Sequence, residues 1–384
     1  MYCRSKFSVR VQRFFKNSNV SSAFYHNAMD LKEVVTKLNI FAPLKLAEKW
    51  DNVGLLVEPS PPHSVKSILL TNDLTEKVVQ EAVDKKVSMV ISYHPPIFVP
   101  LKRLTSKTFK ERIIIKMIEN RIAVFSPHTA FDAVKNGVND WLAAGLGSAQ
   151  IDPLEHSKDQ SSGVKLEARM LTNHVPDQIT SVQDKLKDLQ GVERIEVETL
   201  MRPQGLTEQQ LSLHCSESGL VDTLQTLTSL LPEALGKVEV VPLAQIPILG
   251  TGQGRLCTLH SPVTLSELIN RIKNHLNLKH IRLAAAHSNT SEDPLQSSVQ
   301  TIALCAGSGA SILRGKQADV YLTGEMSHHD ILDAVSRGVH VILCEHSNTE
   351  RGFLTEFRGK LVELLEGKVD VMVSSNDADP LQIL

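Results

Sequence analysis

From Asp30 onward the chain alternates between two hydrophobic rhythms. Segments such as "LKEVVTKLNIFA", "LTEKVVQEAVDKK" and "FKERIIIKMIENR" place apolar residues at helical spacing, the first with Asp30 as a candidate N-cap. Between them "SVKSILLTND", "VSMVIS" and "IAVFSPHTAFD" hold nearly continuous apolar runs, the pattern of strands covered on both faces. The last of these is expected to pass into a loop. The alternation predicts an α/β lobe over residues 30–150. A polar, turn-rich stretch, "SAQIDPLEHSKDQSSG", is expected to be a linker.

Residues 163–245 change the order to βαββαβ, the signature of a ferredoxin-like α+β module. After "GTGQGR" the first rhythm returns and predicts a second α/β lobe over 250–384, closed by the strand "KVDVMVSS". The two lobes resemble each other weakly. "RIAVFSPHT" and "GVHVILCEHS" are both apolar strands reaching a His and then a hydroxyl residue, and an earlier strand in each lobe meets "SYHPP" or "GEMSHHD".

At 384 residues, 42% hydrophobic and 22% charged, the chain can fill more than one globular core. A net charge of −2 and a pI near 6.7 supply no overall field toward nucleic acid or an anionic membrane. No apolar run approaches the ~20 residues of a membrane span. The five cysteines are scattered and form no CxxC pair, which excludes a zinc knuckle of that type and fits a reducing compartment, cytoplasm or nucleus. Residues 1–29 leave two expectations open. They hold five basic residues, five serines and no acid, which suits a mitochondrial transit peptide; an unstructured tail, bypassed by starting at Met29, fits as well.

Ligands of open α/β sheets collect at the carboxyl ends of the strands. Four segments put imidazoles or carboxylates there: Tyr93-His94, His128 with Asp132, His328-His329, and His346 with Glu350. In "VILCEHSNTERGFL", a cap at Ser347 or Asn348 would set Glu350 in the first turn of the next helix, close to His346. Any one of these His residues taken singly is an ordinary hydrogen-bonding residue; their coincidence at equivalent places points to a metal site. Mixed imidazole and carboxylate donors suit zinc, iron, manganese or nickel, and such ions activate water for hydrolysis. "CAGSGAS" has two readings: Gly307, Ser308 and Gly309 as an anion site at a helix start, or a simple tight turn.

The stretches "WDNVGLLVE", "SYHPPIF", "SPHTAFDAVKNGVNDWL", "CAGSGAS", "ADVYLTGEMSHHDILDA" and "CEHSNTERGFL" follow one another from Trp50 to Phe353. In them the chain resembles the Nif-three-like family, also labelled the GTP cyclohydrolase I type two family, and its eukaryotic members above all. The resemblance implies one Nif-three-like fold of two similar α/β lobes with a ferredoxin-like insert, the lobes jointly holding a dinuclear metal centre. It implies His94, Asp132, His346 and Glu350 as metal ligands, with His128 and His329 lining the site as candidate catalytic groups. Bacterial relatives carry a His-His pair where this chain has Tyr93-His94. A phenol is a poor ligand near neutral pH, so one or two metal ions per chain both stay open.

Two functions stay in view. One is a metal-dependent hydrolase, GTP cyclohydrolase-like, acting on a nucleotide or other phosphorylated small molecule. The other is a non-catalytic metal-binding interaction protein that co-regulates transcription, since the family name records association with a transcription adaptor. The resemblance also implies homo-oligomers, dimers or larger rings.

Overall fold

The computed structural model describes residues 28–158, 166–172, 176–201, 203, 207–232, 238–286 and 293–382. The expectations for a leader over 1–29 lie outside these residues, save for Ala28 and Met29. Among the described residues, no helix is long and apolar enough to cross a membrane.

Three larger sheets carry the fold. The first runs in the order Asp370–Val373, Ser67–Thr71, Met89–Ser92, Ala123–Ser126 and Gly54–Val57. Its first four strands are parallel, and Gly54–Val57 is antiparallel. The second runs Arg282–Ala284, His340–Leu343, Val320–Glu325, Ser298–Ser308, Pro247–Thr264 and Ala149–Lys158, with its three parallel strands from 298 to 343. The third is antiparallel, in the order Val238–Pro242, Leu166–Thr172, Thr207–Cys215 and Val192–Met201. With helices Pro176–Leu186 and Glu217–Leu230 it makes the ferredoxin-like βαββαβ module, built on its own core of Ala168, Met170, Leu186, Leu211, Leu213 and Leu227.

The two α/β lobes trade strands. After Ala123–Ser126 the chain leaves the first sheet through helices His128–Ala133 and Val138–Ala144 and enters the second as Ala149–Lys158. After His340–Leu343 it returns through helix Phe353–Leu364 and ends in the first sheet as Asp370–Val373. Two expectations are corrected here. The segment read as a linker from residue 148 is a strand through Lys158; it borders the sheet and is largely exposed, so it lacks the apolar run of a central strand. The segment after Ser126 is a short helix, not a loop.

Because of this exchange the inner faces of both sheets share one core, which joins Ile68, Ile91 and Phe125 to Ile302, Leu322 and Ile342. The two crossovers meet inside it. Phe131 packs on Phe353 and Phe357 with ring centroids 5.8 and 4.7 Å away. Burying each such ring contributes roughly 1.5–3 kcal/mol. Arg255, fully buried on the Pro247–Thr264 strand, pairs with Asp140 and donates to the Val134 carbonyl at 3.2 Å, tying the first crossover to the second sheet.

Candidate metal centre

The site is built at the carboxyl ends of the parallel strands, between the two crossovers. Met89–Ser92 runs into Tyr93 and His94, whose amides donate to the Thr71 and Asn72 carbonyls at 2.9 and 3.0 Å. In the second sheet His340–Leu343 runs into Cys344, Glu345 and His346, and the chain turns at Glu345, which takes a φ of 65°. Ser347–Thr349 then forms a single 3-10 turn, with Glu350 after it and the helix starting only at Phe353. The expectation that Ser347 or Asn348 caps this helix is therefore corrected; Gly352 is its N-cap. The nearby hydroxyls are engaged elsewhere: Thr349 Oγ1 donates to the His346 carbonyl at 2.7 Å, and Ser347 donates to Asp379.

Three donors converge there. His346 Nε2 lies 3.2 Å from Glu350 Oε1, and His94 Nε2 lies 3.5 Å from Glu350 Oε2. One donor atom from each residue falls within 4.8 Å of the others. Each imidazole is held from behind by a carboxylate, His94 Nδ1 by Asp73 at 3.0 Å and His346 Nδ1 by Glu325 at 2.9 Å. Carboxylates accept, so Nδ1 carries the proton in the neutral ring and Nε2 presents its lone pair to the centre.

Glu350 is only 3% exposed and receives the Asn72 amide at 3.1 Å. Burial opposes the charged form of His346, but its bonds to Glu350 and Glu325 outweigh that and lift it to about 10. His94 moves up in the same way, burial opposing and Asp73 with Glu350 prevailing. Gly307, at φ +64°, borders the cluster so tightly that a Cβ would sit 2.4 Å from Glu350 Oε1 and 3.0 Å from His346 Nε2. Two imidazoles and a buried carboxylate in this arrangement fit a divalent transition-metal ion.

Asp132 lines the same cavity but stands outside that three-donor group. The Tyr93 hydroxyl donates to its Oδ1 at 2.6 Å. Burial raises Asp132 to about 6 against the pull of that bond. Burial and the Asp132 charge push the phenol of Tyr93 well above its ordinary range, which keeps it a neutral donor. His128 also lines the cavity, its ring centroid 5.2 Å from that of His94, and its Nδ1 meets Asp51 Oδ1 at 2.8 Å. Asp51 is buried and also accepts from Thr129 Oγ1 at 2.6 Å; burial alone would raise it, but the His128 and Thr129 bonds hold it below its usual value.

The other expected residues lie differently. His329 is exposed at the start of helix His328–Ser336, with its ring against His328, and does not line the cavity. In the Gly307–Gly309 turn, the Gly307 amide donates to Thr349 Oγ1 and the Gly309 amide to Thr323 Oγ1, at 2.8 and 3.0 Å. The helix that follows is one turn, Ala310–Leu313. These two amides are thus committed within the protein.

The cavity measures about 520 Å³. His94, His346, Glu350 and Asp132 line it together with Trp50, Phe98, Ser308, Ser311 and Ile312. A family model described as Duf34/NIF3 (NGG1p interacting factor 3) matches residues 29–380. The chain belongs to this family. NIF3-like protein 1 of Homo sapiens is 48% identical over 358 residues, 93% of either chain. NGG1-interacting factor 3 of Saccharomyces cerevisiae is 29% identical over 364 residues, 92% of this chain and 96% of its own. A solved Bacillus cereus protein related to NIF3 shares the fold at a TM-score of 0.63 and 24% identity, covering 93% of this chain and 99% of that one.

Within this NIF3 architecture the residues missed by sequence reasoning are those behind the ligands: Asn72, Asp73 and Glu325, with Asp51 beside His128. A signal was present. "LTND" at 70–73 and "LTGE" at 322–325 end the strands next to those that lead to His94 and His346, and each supplies the carboxylate behind its imidazole. The internal similarity proposed from the sequence is therefore offset by one strand: "SYH" corresponds to "CEH", and "SPHT" lies on a crossover.

Proposed function

We propose that this chain is a metal-dependent, hydrolase-like protein that holds one divalent transition-metal ion on His94, His346 and Glu350 and acts on a small molecule admitted beside it. The convergence of three donors in the lining of a cavity supports this reading. Zinc, iron, manganese and nickel all match the donor set. When bound, such an ion supplies a Lewis acid that polarises a substrate oxygen and makes water reactive near neutral pH.

The protein's own groups take the remaining roles. Asp73 and Glu325 orient the two imidazoles. His128, with Nδ1 held by Asp51, is the group placed to move a proton through Nε2. Asp132, bonded to the Tyr93 hydroxyl, lacks the second imidazole that a further ion would need, and this favours one ion over two. A nucleotide or other phosphorylated compound is one version of the substrate, with the metal as its phosphate contact.

Elemental analysis of purified full-length protein tests the site: a single equivalent per chain is expected, and none in Glu350→Ala. A turnover screen on the loaded protein then tests the chemistry. Metal without turnover on any small molecule would favour a second reading, a metal-stabilised interaction protein linked to transcription. That reading draws on the name of the yeast relative, NGG1-interacting factor 3. It expects partner capture that Glu350→Ala weakens.

A further inference from the structure

Two features of the cavity are not used by the metal ligands. The first is aromatic. Trp50 is 61% exposed and Phe98 49%, yet they sit together in the cavity wall with ring centroids 6.1 Å apart. Trp50 also stands edge-on to His128 at 6.0 Å, and the His128 ring in turn lies 5.2 Å from that of the donor His94. Large aromatic rings left in water beside a cavity are a standing cost that a stacked ligand removes.

The second is electrostatic. Glu48, Asp132, Glu155 and Glu350 line the cavity, and no Lys or Arg among the described residues does so. Two nearby cations are paired with carboxylates, Lys316 with Glu155 at 3.2 Å and Arg351 with Asp377 at 3.3 Å, and Lys110 interacts with Asp73, the partner of His94 Nδ1. The Gly307 and Gly309 amides are also taken. One divalent ion bound to Glu350 leaves the lining short of the positive charge that several phosphates require.

We infer that the cavity selects a planar heterocycle without phosphate, neutral or cationic, stacked on Trp50 with Phe98 inclined at 58° beside it and one edge toward the metal-ligand cluster. The inference rests on the proposed metal centre for that edge and narrows its substrate class. It turns away from the phosphorylated compounds that the sequence suggested.

Equilibrium dialysis of the full-length, metal-loaded protein against adenosine, guanosine and 1-methylnicotinamide, with ATP and GTP as phosphorylated counterparts, tests it. At least one of the three unphosphorylated rings is expected to bind about tenfold tighter than either triphosphate, and Trp50→Ala to weaken that ring by about tenfold. Metal equivalents, counted in the same samples, stay unchanged in Trp50→Ala. Triphosphates binding as tightly as the best ring, no ring bound by fully loaded protein, or indifference to Trp50→Ala each overturn it. Loss of metal from the wild type would instead overturn the centre itself, so the two failures are distinguishable.

Discussion

Gly307 faces Glu350 and His346 across a gap that admits no side chain, and its φ of +64° disfavours one as well. Gly307→Ala is expected to weaken metal binding about 10–100-fold, the range seen when the supports of a metal site are disturbed. Competition with a chromophoric chelator measures this, and an unchanged circular dichroism spectrum shows that the fold survives. Tyr93 offers a complementary experiment. Replacing its phenol in Tyr93→His puts an imidazole beside Asp132, so elemental analysis should rise from one equivalent toward two. A count fixed at one would mean that the Tyr93–Asp132 hydrogen bond is not what limits the site. His94, His346 and Glu350 were legible because polar groups directly after apolar strands are conspicuous. Asp73 and Glu325 were not, since an acidic residue after a strand is also the commonest way to begin a turn. His329 misled because its strand-end position in the sequence resembles that of His346, although its side chain is exposed.

Among the elements, the segment after Asp370–Val373 is tied to the first lobe by several hydrogen bonds. The buried Glu81 carboxylate accepts from Ser374 Oγ at 2.5 Å, from the Ser375 amide at 3.0 Å and from the Asn376 side chain at 3.1 Å. Asp377 then accepts from the Asn72 backbone N–H at 2.8 Å, so the segment reaches the residue whose side chain donates to Glu350. Burial alone would raise Glu81, but Lys85 and the serine bonds pull it far below its ordinary 4.5. A lowered pKa in the folded state contributes stability above the unfolded value and loses it as pH falls. Glu81→Gln is therefore expected to lose roughly 2–3 kcal/mol at pH 7. Denaturation curves at pH 7 and at successively lower pH check this, and the gap from wild type should narrow once pH drops below 4.5. The helices and apolar strands named from periodicity are present, but the exposed strand Ala149–Lys158, the short helix His128–Ala133 and the boundaries near the site did not follow from it. The helix after Glu350 starts late because both candidate caps are bonded elsewhere, Ser347 to the distant Asp379 and the Asn348 side-chain amide to the Cys344 carbonyl at 2.9 Å, which spacing does not report.

For the molecule as a whole, His94 leaves the first sheet while His346 and Glu350 leave the second, so the proposed ion would fasten the two together. Metal at a hundredfold excess over Kd should add about 2.7 kcal/mol to stability. Thermal unfolding with and without a chelator would register this as a shift of a few degrees, absent in His94→Ala. The α/β alternation and the inserted module were readable from hydrophobic rhythm. Strand exchange was not, because an apolar run announces a buried strand without naming the sheet that will accept it. That exchange sets a schedule for synthesis. Asp370–Val373, which pairs with Ser67–Thr71, is made only after the inserted module and the second sheet. The Ser67–Thr71 edge consequently waits unpaired while the insert and the second sheet are synthesised, open to mispairing of the kind that chaperones prevent.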